Sequence, residues 1–342
     1  MIGRKLLYPV SKSALFCLDA ETAHELTITM LSRLPRLSGV MMGGQWSAPR
    51  KVMGLEFPNP VGLAAGLDKN GECIEAWHRL GFGFIEVGTV TPRPQPGNPK
   101  PRMFRLPKQQ ALINRLGFNN KGVDYLLKRV KQAQYNGILG INIGKNFDTP
   151  LEDALDDYIA CMRKVYSHAS YITANVSSPN TQGLRELQKG DALRPLLLGL
   201  KAEQAKLSDE YGFYVPLVIK IAPDMEQAQI QATADILREY QVDGVIATNT
   251  TISRPGLEND KLAEQQGGLS GKPLLGLSNW ALSVLSKQLA GEIPIIGLGG
   301  ITDQAGATAK LAAGADLLQI YTGFIYRGPE LIRECVAAAN ES

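Results

Sequence analysis

The chain has 342 residues, enough for one large α/β barrel or for two domains of ordinary size. Hydrophobic residues make up 44% of it and charged residues 20%, and this balance excludes a disordered chain. The net charge of +3 is too small to indicate nucleic-acid binding by itself, and no apolar run is long enough to span a bilayer.

The four cysteines lie far apart and form no Cys-x-x-Cys pair: Cys17, Cys73, Cys161 and Cys335. This spacing is typical of reduced thiols in a cytosolic protein, and it argues against a disulfide framework or a zinc site. The sequence therefore predicts a fold without covalent or metal cross-links.

The first 45 residues predict a small basic helical segment. One amphipathic helix covers about 6–18, and a second begins after Asp19, a good N-cap, and ends near Pro35, before a linker at 41–44. Polar residues interrupt the first apolar stretch and no cleavage site follows it, so we expect no secretion signal. The pattern is typical of a membrane-surface element and equally of a helical cap packed on the main domain.

From residue 46 to residue 342 the pattern predicts a second unit. After a turn or short hairpin at 54–60, eight near-continuous apolar runs alternate with eight segments long enough for helices. The predicted strands cover 61–66, 84–90, 137–144, 171–178, 217–222, 244–250, 294–301 and 317–323. The predicted helices cover 71–80, 120–134, 150–168, 191–210, 225–240, 275–290, 302–313 and 329–340. Eight such units favour a closed (β/α)8 TIM barrel, an α/β fold, over an open doubly wound sheet.

Polar side chains cluster where the predicted strands end, which is the active-site face of a barrel. Asn or Lys occurs at five of the eight ends: Lys69, Asn142, Asn175, Lys220 and Asn249. No His or Cys occurs there and carboxylates are scarce, which argues against triad hydrolysis, most zinc chemistry and paired-carboxylate glycoside hydrolysis. The amide, hydroxyl and ammonium groups that remain suit a planar, amide-rich, anionic ligand.

Glycine-rich turns follow the last two predicted strands, at 297–301 and 321–323, where barrels often bind phosphate. The chain has neither a P-loop nor a G-x-G-x-x-G motif after a strand. Phosphate binding beside polar strand ends fits FMN, and Lys220, inside an apolar strand, is placed to stabilise negative charge on the flavin ring. The three histidines fall in predicted helices and are interpreted as surface or packing residues: His24, His78 and His168.

Eight motifs closely resemble those of the dihydroorotate dehydrogenase family, and together they cover nearly the whole chain. They are Gly62–Lys69, Glu86–Asn98, Asn114–Asn120, Asn175–Thr181, Lys220–Asp224, Ala247–Thr251, Gly267–Gly271 and Gly297–Ile301. Soluble members of that family carry Cys as the base in the loop after the fourth strand, where this chain has Ser178. The N-terminal helical segment is similar to the extension of the membrane-associated, quinone-dependent class in its bacterial form.

The resemblance implies oxidation of dihydroorotate to orotate in pyrimidine synthesis, with hydride passing to FMN and electrons to a membrane quinone. It implies Ser178 as the base and Phe118 and Thr181 around its proton relay. The implied substrate contacts are Lys69, Asn114, Arg115, Leu116, Gly117, Phe118, Asn175, Asn180, Asn249 and Thr250. The implied FMN contacts are Ala65, Gly66, Leu67, Asp68, Lys69, Thr89, Asn142, Asn175, Lys220, Thr248, Gly271, Gly300, Tyr321 and Thr322. No metal site is implied.

The resemblance favours the membrane-surface interpretation of residues 1–45, with quinone entering between their helices. It implies a peripheral protein on the cytoplasmic face of the cell membrane, with no nucleic-acid ligand and no obligate protein partner. The loop at 179–190 is either a lid over the substrate or a plain surface loop.

Three other interpretations remain at this stage. The chain could be another FMN barrel oxidoreductase, including a soluble family member with a different oxidant, and reoxidation by a water-soluble acceptor would indicate that. A phosphate-binding barrel isomerase or lyase would never bind FMN. A non-enzymatic peripheral membrane protein on a decayed barrel would bind ligand without turnover.

Overall fold

The computed structural model describes residues 2–42 and 46–341, and a closed eight-stranded parallel barrel forms its centre. Thirteen strands lie in this described part: β1 Arg50–Val52, β2 Leu55–Phe57, β3 Val61–Leu63, β4 Phe84–Val90, β5 Met103–Leu106, β6 Ala111–Asn114, β7 Ile138–Ile143, β8 Tyr171–Asn175, β9 Leu217–Ile221, β10 Gly244–Ala247, β11 Gly268–Gly271, β12 Ile295–Leu298 and β13 Leu317–Ile320. The barrel order is β3-β4-β7-β8-β9-β10-β12-β13, and β13 pairs with β3 to close it. The predicted TIM barrel is confirmed.

Helices form the outer layer of the barrel and the N-terminal segment. Twelve α-helices lie in the same described residues: α1 Ile2–Phe16, α2 Ala20–Arg33, α3 Pro35–Met42, α4 Ile74–Arg79, α5 Val123–Gln132, α6 Ala154–Val165, α7 Gly190–Tyr211, α8 Gln227–Glu239, α9 Leu275–Leu289, α10 Gln304–Ala312, α11 Thr322–Arg327 and α12 Glu330–Glu341. Each predicted barrel helix is present. In α5 the buried residues Val123, Leu126 and Leu127 recur at helical spacing, because one face of an amphipathic helix packs on the strands.

Seven of the eight barrel strands end earlier than predicted, whereas β4 ends at Val90 as predicted. Strand β3 ends at Leu63 and β8 at Asn175, although their apolar or small residues continue further. The regular pairing ends where the chain turns over the barrel mouth, although single backbone bonds continue, such as the one from the Ala64 N–H to the Ile320 carbonyl at 3.1 Å. The residues beyond these ends therefore belong to loops that line the mouth.

A three-stranded antiparallel sheet covers part of the barrel mouth and was not predicted. Strand β6 lies between β5 and β11, and Asn114 pairs with Met103 on one side and with Gly268 on the other. The strands are only four residues long, and β11 is far from the other two in sequence. Short strands with a distant partner give no local repeat from which they can be predicted.

The N-terminal helices pack against the barrel instead of standing apart from it. Asp19 caps α2 as predicted, accepting hydrogen bonds from the backbone N–H groups of Glu21 and Thr22. A third helix, α3, was not predicted: it begins at Pro35, where an end was expected, because proline fits the first position of a helix. The predicted linker at 41–44 begins inside α3, and residues 43–44 lie outside the described residues.

A buried ion pair fastens α2 to the loop before β5. The Arg102 guanidinium contacts the Glu21 carboxylate at 2.7 Å, and both side chains are buried. Tyr8 on α1 donates a hydrogen bond of 2.7 Å to the backbone carbonyl of Ile325. No helix in the described ranges 2–42 and 46–341 is long and apolar enough to cross a membrane.

The predicted hairpin is formed by β1 and β2, in which Val52 faces Leu55 across the turn. It closes the end of the barrel opposite the mouth, where Phe57 packs edge-on against the Phe84 ring at 5.1 Å between centroids. The polar mouth is thus the open end of the barrel.

Candidate active site

A cavity of about 960 Å³ opens at the carboxyl ends of the barrel strands. Most of the predicted site residues line it: Ala65, Gly66, Lys69, Thr89, Asn114, Leu116, Gly117, Phe118, Asn175, Ser178, Asn180, Lys220, Thr248, Asn249, Thr250, Gly271, Gly300, Tyr321 and Thr322. We call this the mouth cavity.

Four predicted residues do not line the mouth cavity. The buried Asp68 carboxylate accepts hydrogen bonds from the backbone N–H groups of residues 72 and 73 and from the Trp77 indole, so it holds the loop after β3. Leu67 faces the N-terminal helices. Asn142 lies beneath the cavity, and Arg115 faces outward, with Nη2 donating to the carbonyl of Pro101 at 2.8 Å.

Amide and hydroxyl side chains at the mouth are linked in one hydrogen-bonded chain. Thr89 donates to the Asn142 carbonyl oxygen at 2.6 Å and accepts from the Asn175 amide at 3.0 Å. Asn249 donates to the hydroxyl of Ser177 at 2.9 Å, and Ser177 donates to the Asn175 carbonyl oxygen at 3.1 Å. These contacts fix which face of each amide is turned to the cavity.

Ser178 is buried in the loop after β8 and lines the mouth cavity. Its Oγ accepts a hydrogen bond from the backbone N–H of Asn180 at 3.2 Å, and the Asn180 amide donates to the Asn114 carbonyl oxygen at 3.2 Å. None of the described residues that line the cavity is a His, Cys, Asp or Glu. The hydroxyl groups of Ser, Thr and Tyr side chains are therefore the candidate bases of this cavity wall, and Ser178 is one of them.

Two ammonium groups enter the mouth cavity, Lys69 from the loop after β3 and Lys220 from β9. Burial lowers the pKa of Lys69 to about 8, against the attraction of the Glu21 carboxylate. Burial also lowers the pKa of Lys220, and the charge of Glu86 opposes that shift. Both groups supply positive charge where an anionic ligand would lie.

The glycine-rich turn after β12 is held from behind by a buried lysine. Gly299 and Gly300 have φ values of 109° and 86°, which only glycine adopts readily. The Ser278 hydroxyl donates to the Gly299 carbonyl at 2.9 Å, and the Lys310 ammonium donates to the same hydroxyl. This chain fixes the turn on the side away from the cavity.

Glu86 and Gln319 lie inside the barrel and were missed as site residues. Both are fully buried, and Gln319 lines the mouth cavity from β13. Their signal was a single polar residue within an apolar strand, the same signal that marked Lys220. Ser270 on β11 was missed because the small sheet was not predicted, and it accepts a hydrogen bond from Thr322 at 2.8 Å.

A second cavity, of about 1730 Å³, lies between the N-terminal helices and the barrel, and we call it the helix cavity. Its lining is mostly apolar and includes Leu15, Phe16, Leu31 and Phe324. Tyr321 lines both cavities and so forms the wall between them. His24 on α2 also lines the helix cavity, and burial lowers its pKa to about 3, so it is a packing residue at the cavity wall.

The loop at 179–190 lies over the mouth and carries a short 3₁₀ turn, Leu184–Gln188. Arg185 fastens it to the barrel by donating to the carbonyls of Ser177 at 3.1 Å and Thr250 at 2.8 Å. The same guanidinium pairs with Asp224 at 2.8 Å. The loop is thus tied to three strand ends, and its action as a lid stays a prediction.

The chain is similar to known proteins over nearly its whole length. The family model for dihydroorotate dehydrogenase matches residues 47–340. A dihydroorotate dehydrogenase (quinone) of Aromatoleum aromaticum is 59% identical over 98% of this chain and 96% of its own length. A protein of the same name from Neisseria meningitidis serogroup C is 52% identical over 98% of each chain.

Solved structures agree with these sequence relatives. The crystal structure of an Eimeria tenella DHODH in complex with ferulenol matches with a TM-score of 0.85 and 37% identity, over 94% of this chain and 90% of that one. The ligand-free form from the same organism matches with a TM-score of 0.84 and 39% identity, over 92% of this chain and 93% of that one. The chain belongs to the dihydroorotate dehydrogenase family.

Proposed function

We propose that this chain oxidises dihydroorotate to orotate in pyrimidine synthesis and passes the electrons through FMN to a quinone. The observation that carries the proposal is the mouth cavity, which has two ammonium groups, a linked set of amides and one buried serine. This is the chemistry that a planar anionic substrate and a flavin require. Relatives named for the quinone-dependent reaction match the chain over nearly its full length.

The residues of the mouth cavity fit FMN. Gln319 has a buried side-chain oxygen, Oε1, without a hydrogen-bond partner among the described residues, so a ligand donor is needed there. FMN, when bound, accepts hydride from the substrate and passes electrons to the second acceptor. Gly300 and Thr322 would hold its phosphate. Ala65, Gly66, Lys69, Thr89, Asn175, Lys220, Thr248, Gly271 and Tyr321 would surround its ring and chain, with Leu67, Asp68 and Asn142 supporting them from behind.

The substrate would lie against the amide groups on the loop side of the cavity. Thr250 Oγ1 is buried there without a partner in the described structure, which leaves it free for a polar group of the ligand. Asn114, Asn175, Asn180 and Asn249 offer donors and acceptors to a ring with amide edges, and Lys69 offers positive charge to a carboxylate. Leu116, Gly117 and Phe118 would complete the wall, with Arg115 holding their loop from outside.

Ser178 acts as the base that removes a proton from the substrate carbon. A serine hydroxyl is a weak base at neutral pH, so its own proton has to pass on to another group. Phe118 and Thr181 are both buried, and they would shape the path by which the proton leaves Ser178 in the loop after β8. The absence of His, Cys and carboxylates from the described cavity wall supports the assignment.

Quinone would enter through the helix cavity, whose apolar wall suits a hydrophobic acceptor. Tyr321 separates it from the flavin position. Residues 1–45 then form a membrane-surface element on a barrel of residues 46–342, and the protein is peripheral on the cytoplasmic face of the membrane. Of the twelve exposed large hydrophobic residues in the described part of the chain, five support this because they lie on or next to α1 and α2: Val10, Leu18, Leu26, Met30 and Leu34.

The proposal is tested by an anaerobic visible spectrum of the purified protein before and after addition of dihydroorotate. We expect a flavin band that bleaches with dihydroorotate and returns with a short-chain quinone. A band that does not bleach would contradict the substrate. A band that bleaches and returns only with a water-soluble acceptor would contradict the quinone, and a protein that stays colourless after FMN is added would contradict the cofactor.

A further inference from the structure

Glu86 is a fully buried acidic residue near the centre of the barrel, and the reaction as proposed gives it no role. It lies on β4 and accepts four hydrogen bonds. Oε1 accepts from the Asn142 amide at 2.8 Å. Oε2 accepts from the Tyr171 hydroxyl at 2.9 Å, the Thr173 hydroxyl at 3.2 Å and the Gln319 amide at 2.8 Å.

These contacts suit a carboxylate side chain at Glu86. Asn142 presents its amide N–H to Glu86, because its carbonyl oxygen already accepts from Thr89 at 2.6 Å. Thr89 is fixed in turn, since its Oγ1 accepts from the Asn175 amide at 3.0 Å. A carboxylate only accepts hydrogen bonds, so it uses all four of the donors that surround Glu86.

Lys220 carries the opposite charge within the same barrel. Among all residues of the eight barrel strands, each of which is fully described, Glu86 and Lys220 are the only charged ones. Lys220 is 4% exposed, lines the mouth cavity, and makes no direct ion pair with Glu86 within 4.0 Å in the described structure. A buried ammonium without a contact partner is costly, so its charge depends on the net field inside the barrel.

We propose that Glu86 is a positioning residue that acts through Lys220: its negative charge keeps the Lys220 ammonium protonated beside the bound flavin, before and after flavin reduction. This inference rests on the proposed function for its FMN. Glu86 does not line the mouth cavity, so it acts on the flavin only through other side chains. It sets how many protons the site takes up when the flavin is reduced.

The proton count follows from the charge of Lys220. If Lys220 is always charged, reduction of the bound flavin takes up two electrons and one proton, and the ammonium balances the negative charge gained by the ring. If Lys220 is neutral before reduction, the site takes up two electrons and two protons, of which the second goes to the lysine. One proton for two electrons shifts the midpoint potential by about 30 mV per pH unit, and two protons shift it by about 59 mV.

Few other titratable groups face Lys220. Asn175 on β8 and Ile246 on β10 are its register partners on either side, and neither side chain titrates. Tyr171 contacts Glu86, and burial raises its pKa well above the ordinary value. Lys69 and Tyr321 face the same cavity at its mouth, and Lys69, with a pKa of about 8, is the one other group that changes charge near neutral pH. Because the wild type and the Glu86 variant both keep Lys69, its contribution is the same in each and cancels when the two are compared.

The experiment is a dithionite titration of the FMN-bound protein between pH 6 and pH 9, compared for the wild type and Glu86→Gln. We expect the midpoint potential of the wild type to fall by about 30 mV per pH unit. That of Glu86→Gln should fall about twice as steeply above pH 7, because Lys220 loses its counter-charge. Tyr171→Phe is the matched control, since it removes one hydrogen bond to Glu86 but keeps the carboxylate, and it should follow the wild-type slope.

Equal slopes for Glu86→Gln and the wild type would overturn the proposal, and so would a two-proton slope in the wild type. If Glu86→Gln does not retain FMN, Glu86→Asp takes its place. Because Glu86→Asp keeps the negative charge, the proposal requires its midpoint potential to fall by about 30 mV per pH unit. The titration uses no substrate, so its result does not depend on the proposed reaction. A flavin that dihydroorotate does not bleach would contradict the proposed function, and the pH dependence of the midpoint potential could still be measured.

Discussion

The mouth cavity and the helix cavity share one wall at Tyr321 but are built in different ways. The mouth cavity is formed by strand ends and their loops, and its side chains already hydrogen-bond to one another. The helix cavity exists only because α1 and α2 dock beside the barrel, largely through apolar side chains and one buried ion pair. The first should therefore survive changes in the N-terminal helices, and the two half-reactions should be separable by mutation.

Ser178→Ala is the sharpest test of the mouth cavity and has the largest expected effect. Loss of a general base slows proton removal by about 10²- to 10⁴-fold. We expect the rate of flavin bleaching by dihydroorotate to fall by that factor in anaerobic stopped-flow experiments, with FMN still bound. Reoxidation by quinone should keep its rate, because the helix cavity is untouched.

Ser177→Ala is the neighbouring control for this variant. Ser177 bonds to Asn175 and Asn249 and does not line the cavity, so its loss should slow bleaching far less. Equal effects of the two substitutions would mean that the loop, and not the Ser178 hydroxyl, governs the step.

Glu21→Gln should break the helix cavity and leave the mouth cavity intact. Removal of one partner from a buried ion pair costs about 3–5 kcal/mol, because Arg102 would stay buried without its carboxylate. We expect α2 to detach at lower denaturant concentration, which hydrogen exchange of α2 would detect, and quinone reduction to fall. Flavin bleaching by dihydroorotate should persist, with a higher KM for dihydroorotate because Lys69 loses the attraction of the Glu21 carboxylate.

Glu25→Gln on the same helix is the matched control. Glu25 pairs with Lys100 at 3.0 Å, but its side chain is 60% exposed, and such surface pairs contribute about 0–1 kcal/mol. Loss of bleaching in Glu21→Gln would show that the two cavities fold as one unit, and would contradict the view that the mouth cavity is independent of the N-terminal helices.

The barrel could be predicted from the sequence because each strand is a buried apolar run with a helix after it. The strand-end residues followed from the same rule. The small sheet of β5, β6 and β11 could not be predicted, because its strands are short and β11 lies far along the chain. Glu86 and Gln319 were overlooked although each interrupts an apolar strand, since only strand ends were searched for function. The helix cavity depends on how separate elements dock, which no local pattern specifies.

Lys310→Met tests the support behind the phosphate turn of the mouth cavity. Burial lowers the pKa of Lys310 to about 7, so the unfolded chain binds more protons than the folded one at higher pH. The buried ammonium therefore destabilises the folded protein most below pH 7. This destabilisation falls as the pH rises towards the ordinary pKa of lysine. The stability gained by Lys310→Met over the wild type should shrink by about 2–3 kcal/mol from pH 7 to pH 9 in urea unfolding.

Lys287→Met on α9 is the control for this titration. Lys287 is exposed, so its replacement should change the free energy of unfolding by a small amount that is the same at each pH. A stability difference for Lys310→Met that stays constant between pH 7 and pH 9 would contradict a buried, titrating Lys310.

Ala23→Phe tests the helix cavity by filling it, with the smallest expected effect. Ala23 is buried on α2 and lines the cavity, so a phenyl ring would occupy space that the acceptor needs. Overfilling costs about 1–3 kcal/mol, and 1.4 kcal/mol is a factor of ten, so the KM for quinone should rise about tenfold. Ala14→Phe on α1 makes the same change at an exposed position outside the cavity, and its KM should stay at the wild-type value. If the KM for dihydroorotate rose together with that for quinone, the wall at Tyr321 would not separate the two sites, because filling one cavity would then have altered binding in the other.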